Sequence, residues 1–347
     1  MNESKKYIFL AFGELALDVM YDEHTIIKEV GGVSAFNTLY NLSVFGEEAY
    51  AIGGVGYDIT DTTRRREERS AIKAIKTVES LKTSLVNTDN IQLINKPTNV
   101  FYIFKPKNKL DESEDLTINR VSPTTGKSSI EWSDKLTSIL PQKFENKKVI
   151  LIVSNFEPVT DRFINNTKKK CPESKISLDI TNGKIFDKYS SEYLWKYLKK
   201  IDLAQCNENT AKIICKKLGV SSIEELVNNL NTEIFTLTKG SAGAIFYYRE
   251  NGRLETVSKI PQIVEQPFDP TGAGDAFHTM MLLSYCKMKY NSRKIDKDYF
   301  DISFKLANGF ARKVLQINGA RGNPKELLEF MINEIKEIKK AEELEMG

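Results

Sequence analysis

The chain has 347 residues, 41% of them apolar, and its 50 Lys and Arg nearly balance its 47 Asp and Glu. A net charge of +3 produces no strong basic field, which argues against a nucleic-acid partner. No run approaches the roughly 18 consecutive apolar residues that a membrane-spanning helix needs. The four cysteines form no CxxC pair, which favours reduced thiols and a cytoplasmic location.

Short apolar runs recur along the chain and alternate in its second half with helical patterns. Gly13 and Glu14 interrupt the first run, so we interpret it as a buried strand rather than a signal peptide. The alternation predicts βαβ units in an α/β fold, with a mostly parallel central sheet and helices on both faces. The predicted strands are 7–13, 48–55, 148–155, 175–180, 201–207 and 233–240.

The middle of the chain has a different pattern. Three strand-like runs, at 91–95, 98–105 and 116–121, are separated by turns rather than helices, which predicts an antiparallel excursion from the main sheet. We expect a small β lid formed by about 19–30 and 91–121, on a single domain that covers residues 1–347. The Glu- and Lys-rich end of the chain predicts a surface helix.

The segment DPTGAGDAFHTMMLL, residues 269–283, places a glycine-rich turn before apolar residues at helical spacing. We predict a helix that begins near Ala273. Gly272 and Gly274 lack Cβ atoms, so an anion could approach the N–H groups at the positive end of this helix, beside Asp275. A simpler alternative is that Asp275 only stabilises the helix start.

Together with other glycine-rich segments, this motif resembles the PfkB family of carbohydrate and nucleoside kinases, which has the ribokinase-like fold. The resemblance extends over nearly the whole chain. The matching motifs are GELALD at 13–18, the Gly-Gly to Asn stretch at 31–37, GGVGYD at 53–58, CNENT at 206–210, TKGSAG at 238–243 and DPTGAGD at 269–275.

The resemblance implies an ATP-dependent kinase that phosphorylates a hydroxyl of a sugar, cyclitol or nucleoside. It further implies Asp275 as catalytic base, with Gly272, Ala273 and Gly274 as the anion hole for the transferred phosphoryl group. A carboxylate suffices as base, since phosphoryl transfer mainly requires positioning and charge stabilisation. The implied nucleotide-binding residues are Asn207, Thr238, Gly240, Gly243 and Asn308. The implied cofactors are ATP and Mg²⁺, with a monovalent cation such as K⁺ near Asp269.

At the substrate end, Asp18 follows the first predicted strand, and ligands of parallel sheets gather at the carboxyl ends of the strands. The resemblance implies that Asp18 binds sugar hydroxyls. The implied substrate-binding residues are Asp18, Gly31, Gly32, Asn37, Asn155 and Glu157. For each of them the alternative is a structural role as a cap or turn residue.

The sequence departs from the family pattern at several places. The Asn-x-x-Glu motif, which helps to place Mg²⁺ and phosphate, has Thr210 at its last position, and Glu208 is the candidate substitute. The glycine pair lies one residue further upstream of Asn37 than usual, and Leu39 stands where a small residue is usual. The family usually has a pair of small residues after DAF, whereas this chain has Thr279 and Met280 after His278. The Gly that usually follows VGYD is also missing.

Alternatives to this function remain open at this point. One keeps the fold but uses ADP as donor or a vitamin-like hydroxymethyl substrate. Another is a catalytically silent ligand-binding relative, which Thr210 favours and the intact GAGD opposes. A P-loop at 121–129 is disfavoured because Val121 stands where its first Gly is required. The chain has two histidines, too few for a zinc hydrolase, and we interpret His278 as a helix-surface residue.

The first lid hairpin bears on oligomeric state. Twelve residues, Val19 to Val30, separate Asp18 from Gly31, enough for two strands of about five residues that each span ~16 Å. A clasp between two subunits needs broader apolar sheet faces. We therefore predict a monomer or weak homodimer that binds a small-molecule substrate and a nucleotide, without nucleic acid or membrane.

Overall fold

A computed structural model describes residues 7–22, 25–56, 77–94, 98–104, 118–119, 136–180, 183–261, 271–290, 294–317 and 320–345. Three features of the sequence analysis lie outside these residues: the predicted K⁺ site at Asp269, the second histidine, His24, and the P-loop-like segment at 121–129. The strands are β1 Ile8–Glu14, β2 Ala16–Asp22, β3 Thr25–Gly31, β4 Ala49–Gly56, β5 Asn87–Ile94, β6 Asn99–Phe104, β7 Ile118–Asn119, β8 Val149–Val153, β9 Lys175–Ile180, β10 Leu203–Asn207, β11 Ile234–Thr238, β12 Ala244–Glu250 and β13 Arg253–Lys259.

The helices alternate with most of these strands. They are α1 Ser34–Val44, α2 77–82, α3 Pro158–Lys170, α4 Ser191–Leu198, α5 Glu208–Leu218, α6 Ile223–Asn228, α7 Ala273–Tyr290, α8 Lys297–Val314 and α9 Pro324–Glu345. None of the described helices is both long and apolar enough to span a membrane.

Nine strands form the main sheet in the order β13-β12-β11-β10-β9-β8-β1-β4-β5. The seven from β11 to β5 pair in parallel, and β12 and β13 add an antiparallel edge. Alternate side chains of β1 enter two apolar cores on opposite faces: Leu10 packs in the core with α3 to α6, and Phe9 in the core with α1 and α7 to α9. The predicted α/β architecture, with helices on both faces, is confirmed.

A second, four-stranded sheet has the order β3-β2-β6-β7 and corresponds to the predicted lid. It is mixed rather than antiparallel, because β2 pairs with β6 in parallel. Leu17, Val19 and Val100 form its small apolar cluster. Its first hairpin begins at Ala16 rather than at Val19, and its two strands have seven residues each. The hairpin is therefore longer than the predicted one at 19–30.

The prediction that 91–95 belongs to the lid is wrong. Residues 91–94 lie in β5, an edge strand of the main sheet in which Ile91 pairs with Gly53 of the parallel strand β4. Parallel neighbours require a crossover connection, and helix α2 at 77–82 supplies part of it. Of the described residues in 91–121, those in β6 and β7 belong to the second sheet.

Candidate active site

The candidate site lies at the edge where the parallel strands of the main sheet end. Asp179 is near the carboxyl end of β9, and Asn207 and Thr238 are the last residues of β10 and β11. The glycine-rich turn before α7 reaches the same edge, since Gln205 Nε2 of β10 donates to the Gly274 carbonyl at 2.9 Å. Ligands of parallel α/β sheets bind at this edge.

Gly272 shapes the turn that begins α7. Its φ is +83°, and a Cβ at this position would lie 2.4 Å from the Cα of Ala320, so both the conformation and the space require glycine. The first helical hydrogen bond runs from Ala276 N to Gly272 O at 2.9 Å. Around Gly274, by contrast, the nearest atom that an added Cβ would meet is 3.8 Å away. The backbone at Gly274 is therefore uncrowded, and the first N–H groups of a helix have no acceptor within it, an arrangement that suits an anion.

Asp275 is a buried carboxylate in the first turn of α7. Its Oδ1 accepts a hydrogen bond from Ser34 Oγ at 2.5 Å, and its Oδ2 accepts one from Asn37 Nδ2 at 2.8 Å. Burial raises the pKa of Asp275 above its usual range, and these two donors and the nearby charge of Arg321 offset only part of that rise. The side chain is thus an oriented acceptor directly behind the glycine turn.

Sequence reasoning missed Arg321, a buried guanidinium that fixes the orientation of Asn37. Its Nε donates to Asn37 Oδ1 at 3.0 Å, its Nη2 donates to the Gly32 carbonyl at 3.1 Å, and its Nη1 donates to Ser80 Oγ. Because Asn37 accepts through its oxygen, its amide nitrogen is directed to Asp275. Burial lowers the pKa of Arg321 to about 10, so the group stays cationic near neutral pH.

The loop that carries Arg321 is attached to the site by other contacts. Tyr40 Oη donates to the Gly322 carbonyl at 2.8 Å, and Lys28 Nζ donates to the Arg321 carbonyl at 3.3 Å. The Arg321 guanidinium also lies 5.8 Å from the centre of the Tyr40 ring. The only sequence signal for this residue is its place in the glycine-containing stretch INGARGNP before α9.

The predicted substrate residues Asp18, Gly31, Gly32 and Asn37 lie together. A Cβ on Gly32 would lie 2.1 Å from Asp18 Oδ1, so glycine is required for the backbone to pass this buried carboxylate. The unusual spacing of the glycine pair has a structural counterpart. Val33 adopts a φ of +75°, a conformation that glycine adopts readily and that a β-branched residue rarely does.

Asp179, Ser34 and Gln205 are further site residues that sequence reasoning missed. Ser34, the first residue of α1, donates toward Asp179 Oδ2 at 2.5 Å as well as toward Asp275. Gln205 Nε2 lies 3.5 Å from Asp179 Oδ1. Burial and the charge of Asp275 raise the pKa of Asp179 to about 7. An acidic residue at the end of an apolar strand was the signal available for Asp179.

Asn155 and Glu157 lie between β8 and α3. Asn155 Oδ1 accepts from Thr160 Oγ1 at 2.6 Å, and its Nδ2 is 3.6 Å from the Cβ that Gly13 would carry. The buried Glu157 occupies the N-cap position of α3, immediately before Pro158. The structure thus places Asn155 near the end of β1, and the binding of substrate by Asn155 and Glu157 stays a prediction.

Most of the predicted nucleotide-binding residues lie around β10 and β11. Asn207 caps α5, since its Oδ1 accepts from Thr210 N at 2.7 Å, and it pairs with Thr238 in the sheet register. Gly240 and Gly243 form the turn after β11. Gly243 has a φ of +98°, and a Cβ there would lie 2.0 Å from the Lys259 carbonyl oxygen. Asn308 lies within α8 and is partly buried.

Glu208, the candidate metal ligand, is the first residue of α5. Its half-exposed carboxylate lies 3.9 Å from both Lys212 Nζ and Lys239 Nζ. Among the residues that the structure describes, no three His, Cys, Asp or Glu side chains cluster as a metal site.

The prediction for His278 is wrong, since its side chain is buried rather than on the helix surface. α7 packs against the sheet on one side and α8 on another, so it has little exposed face. Nε2 of His278 lies 2.7 Å from Ser177 Oγ, and burial lowers its pKa to about 4, which keeps the ring neutral.

Comparison with known families decides the assignment. The model of the pfkB family carbohydrate kinases matches residues 10–327 of the chain. The chain belongs to the pfkB family. No curated protein matches its sequence significantly. As a pfkB-family kinase, the protein is a phosphotransferase with a hydroxyl group as acceptor.

Solved structures of similar fold agree with the family. A Burkholderia thailandensis nucleoside kinase in complex with inosine is 17% identical, with a TM-score of 0.63 and coverage of 94% of this chain and 97% of that one. A double mutant of Vibrio cholerae O395 fructokinase with fructose, ADP and potassium is 17% identical, with a TM-score of 0.64 and coverage of 95% and 100%. A candidate ribokinase II from E. coli in complex with ATP and Mg²⁺ is 14% identical, with a TM-score of 0.67 and coverage of 94% and 99%.

Proposed function

We propose that this pfkB-family kinase transfers the γ-phosphoryl group of ATP to a hydroxyl group of a sugar, cyclitol or nucleoside. The observation that carries the proposal is the position of Asp275. Its buried carboxylate lies in the first turn of α7, immediately after the glycine turn, and two donors orient it. A base and an anion site are thus adjacent, as phosphoryl transfer to a hydroxyl requires.

In this proposal Asp275 accepts the proton of the substrate hydroxyl as the oxygen attacks phosphorus. Oδ1 of Asp275 accepts from Ser34 and Oδ2 accepts from Asn37, and a carboxylate has further lone pairs that can accept the proton. Asp18, Gly31, Gly32 and Asn37 form the adjoining surface, and the close approach of Gly32 to Asp18 supports a preformed binding floor. Asn155 and Glu157 complete the proposed substrate site.

Gly272, Ala273 and Gly274 would stabilise the transferred phosphoryl group. The N–H groups at the start of α7 have no acceptor within the helix, and the backbone at Gly274 is exposed and uncrowded. Such fixed donors stabilise developing negative charge without reorganising during the reaction.

The proposed nucleotide site comprises Asn207, Thr238, Gly240, Gly243 and Asn308. Mg²⁺ usually binds through substrate phosphates, water and one or two carboxylates, so it does not need a cluster of acidic side chains. The described residues contain no such cluster. Glu208, at the same sheet edge as Asn207, is the carboxylate that would help to hold Mg²⁺. When bound, Mg²⁺ neutralises charge on the phosphates. K⁺ near Asp269 stays a prediction.

A coupled assay for nucleotide release tests the proposal. Purified protein is incubated with ATP and Mg²⁺ and with panels of pentoses, hexoses, inositols and nucleosides. We expect ADP release that depends on one of these alcohols and disappears with Asp275→Asn. Product formation with ADP but not with ATP would overturn the proposed donor. Absence of turnover with both donors across all panels would contradict the proposed substrate class.

A further inference from the structure

Two buried carboxyl groups in the site share one hydroxyl group. Ser34 Oγ is 2.5 Å from Asp179 Oδ2 and 2.5 Å from Asp275 Oδ1. The charge of Asp275 also raises the pKa of Asp179. Only 4% of Asp179 and 8% of Asp275 is exposed, so water can do little to separate their charges.

A count of hydrogens shows that this pair carries a proton. The Ser34 hydroxyl has one hydrogen to donate, yet both of its contacts have hydrogen-bond length. If both aspartates were ionised, one contact would place a lone pair of Ser34 against a carboxylate oxygen at 2.5 Å. If one carboxyl group is protonated, it donates to Ser34, and Ser34 donates to the other.

The surroundings of the two groups indicate which of them holds the proton. Asp275 receives a second donor, Asn37 Nδ2, and lies near the positive charge of Arg321, both of which favour its ionised form. Among the described residues, the further donor to Asp179 is the distant Gln205 Nε2 at 3.5 Å, and that group has a nearer acceptor at 2.9 Å. The proton therefore belongs on Asp179.

The other titratable groups that face Asp179 agree with this assignment. Among the described residues these are Asp275 on α7 and the Cys206 thiol on β10. Burial raises the pKa of Cys206, which therefore remains a neutral thiol. The negative charge of Asp275 and the burial together raise the pKa of Asp179 to about 7.

We propose that Asp179 is a positioning residue that, as a neutral carboxylic acid, donates to Ser34 and thereby directs the Ser34 hydrogen to Asp275. This inference rests on the proposed role of Asp275 as the base. Protonated Asp179 leaves Asp275 ionised and oriented. Once Asp179 loses its proton, two carboxylates compete for the single hydrogen of Ser34, and Asp275 loses its fixed orientation.

The dependence of the rate on pH tests the role in catalysis. We expect the kcat of the wild type to decline as pH rises through about 7. Asp179→Asn keeps a neutral donor to Ser34 at every pH, so it should retain turnover and lose this decline. Asp179→Leu has a similar size but no donor, so it should lower kcat more than it changes KM. The proposal would be overturned if the kcat of Asp179→Asn still declined as pH rises. It would also be overturned if Asp179→Leu had the same kcat as Asp179→Asn.

The dependence of stability on pH tests the proton without any kinase assay. An unfolded aspartate has a pKa of about 3.9, whereas burial and the charge of Asp275 raise the pKa of Asp179 to about 7 in the folded chain. Between these values the folded chain holds more protons, so this contribution to stability is present at low pH and is lost as pH rises. The Tm of Asp179→Asn minus that of the wild type should therefore increase from about pH 5 to about pH 8.

Exposed Asp89→Asn is the matched control, and the Tm of Asp179→Asn should rise with pH relative to the Tm of Asp89→Asn. A constant difference between the two variants would overturn the shared proton. If the Tm difference for Asp179→Asn rises with pH but the wild type shows no turnover, the result supports the shared proton and contradicts the proposed function. The failure of one proposal can thus be distinguished from the failure of the other. If Asp179→Asn does not fold, Ser34→Ala removes the bridging hydroxyl and should lower kcat with little change in KM. An unchanged kcat would then overturn the proposal.

Discussion

Asn37 donates to Asp275 through Nδ2 at 2.8 Å and accepts from Arg321 through Oδ1 at 3.0 Å. One amide thus connects a buried guanidinium to the proposed base, and each end of the amide has a partner of the matching type. A residue that the resemblance assigned to substrate binding also orients the carboxylate that would react. This relationship makes the site a continuous hydrogen-bonded unit whose parts can be tested separately.

We expect Asp275→Asn to reduce turnover by about 10²–10⁴-fold, because the amide keeps the shape of the carboxylate but cannot accept the proton. Nucleotide binding should survive, since the proposed nucleotide residues lie on other elements. Steady-state kinetics and calorimetric titration of ATP measure the two effects. Retention of more than half the wild-type rate would refute the assignment of Asp275 as base.

Arg321→Lys should lower kcat and destabilise the fold by on the order of 1–3 kcal/mol. Lysine keeps the charge but cannot serve the three acceptors of the planar guanidinium, so the orientation of Asn37 is no longer fixed. Arg249→Lys is the matched control, because Arg249 also donates to several acceptors, the carbonyls of Val227, Asn228 and Leu230.

Kinetics and denaturant unfolding of these two variants separate positioning from general stability. We expect Arg249→Lys to lose stability but keep its kcat. Equal kcat values in both variants would show that Arg321 has a structural role alone.

Gly272→Ala should both destabilise the chain and abolish activity. The left-handed conformation alone costs an alanine about 1–2 kcal/mol, and here the added Cβ also overlaps Ala320. Gly219→Ala is the control, since Gly219 has a φ of +70° but nothing within 4 Å of an added Cβ. Denaturant unfolding should show the smaller loss for Gly219→Ala, with full activity. Similar losses in both variants would mean that the turn before α7 tolerates a shift.

Thr210→Glu restores the acidic residue of the family motif in the first turn of α5, where a carboxylate also suits the helix dipole. If its absence weakens metal placement, this variant should lower the Mg²⁺ concentration that gives half the maximal rate. Thr210→Gln has the same size without the charge and should not. An unchanged requirement in Thr210→Glu would indicate that Glu208 or water already serves the metal.

Several features of the fold could be predicted because they depend on short stretches of sequence. Six strands of the main sheet, β1, β4, β8, β9, β10 and β11, followed from apolar runs, and the start of α7 at Ala273 followed from its glycine turn and helical spacing. The edge strand β5 was misplaced because its connection through α2 carries no clear helical pattern. His278 was placed on the surface because helical spacing does not show how many neighbours pack against a helix.

The amino-acid sequence by itself determined the α/β architecture, the glycine positions and the candidate carboxylates Asp18 and Asp275. Periodicity and turn chemistry are properties of neighbouring residues, so they can be predicted from the order of the residues. The partners of those carboxylates were decided only by the tertiary structure. Arg321 and Asn37 are 284 positions apart, and Ser34 and Asp275 are 241 apart. Contacts over such separations depend on how helices and loops pack over the sheet, and so does the burial that makes one proton shared between two aspartates.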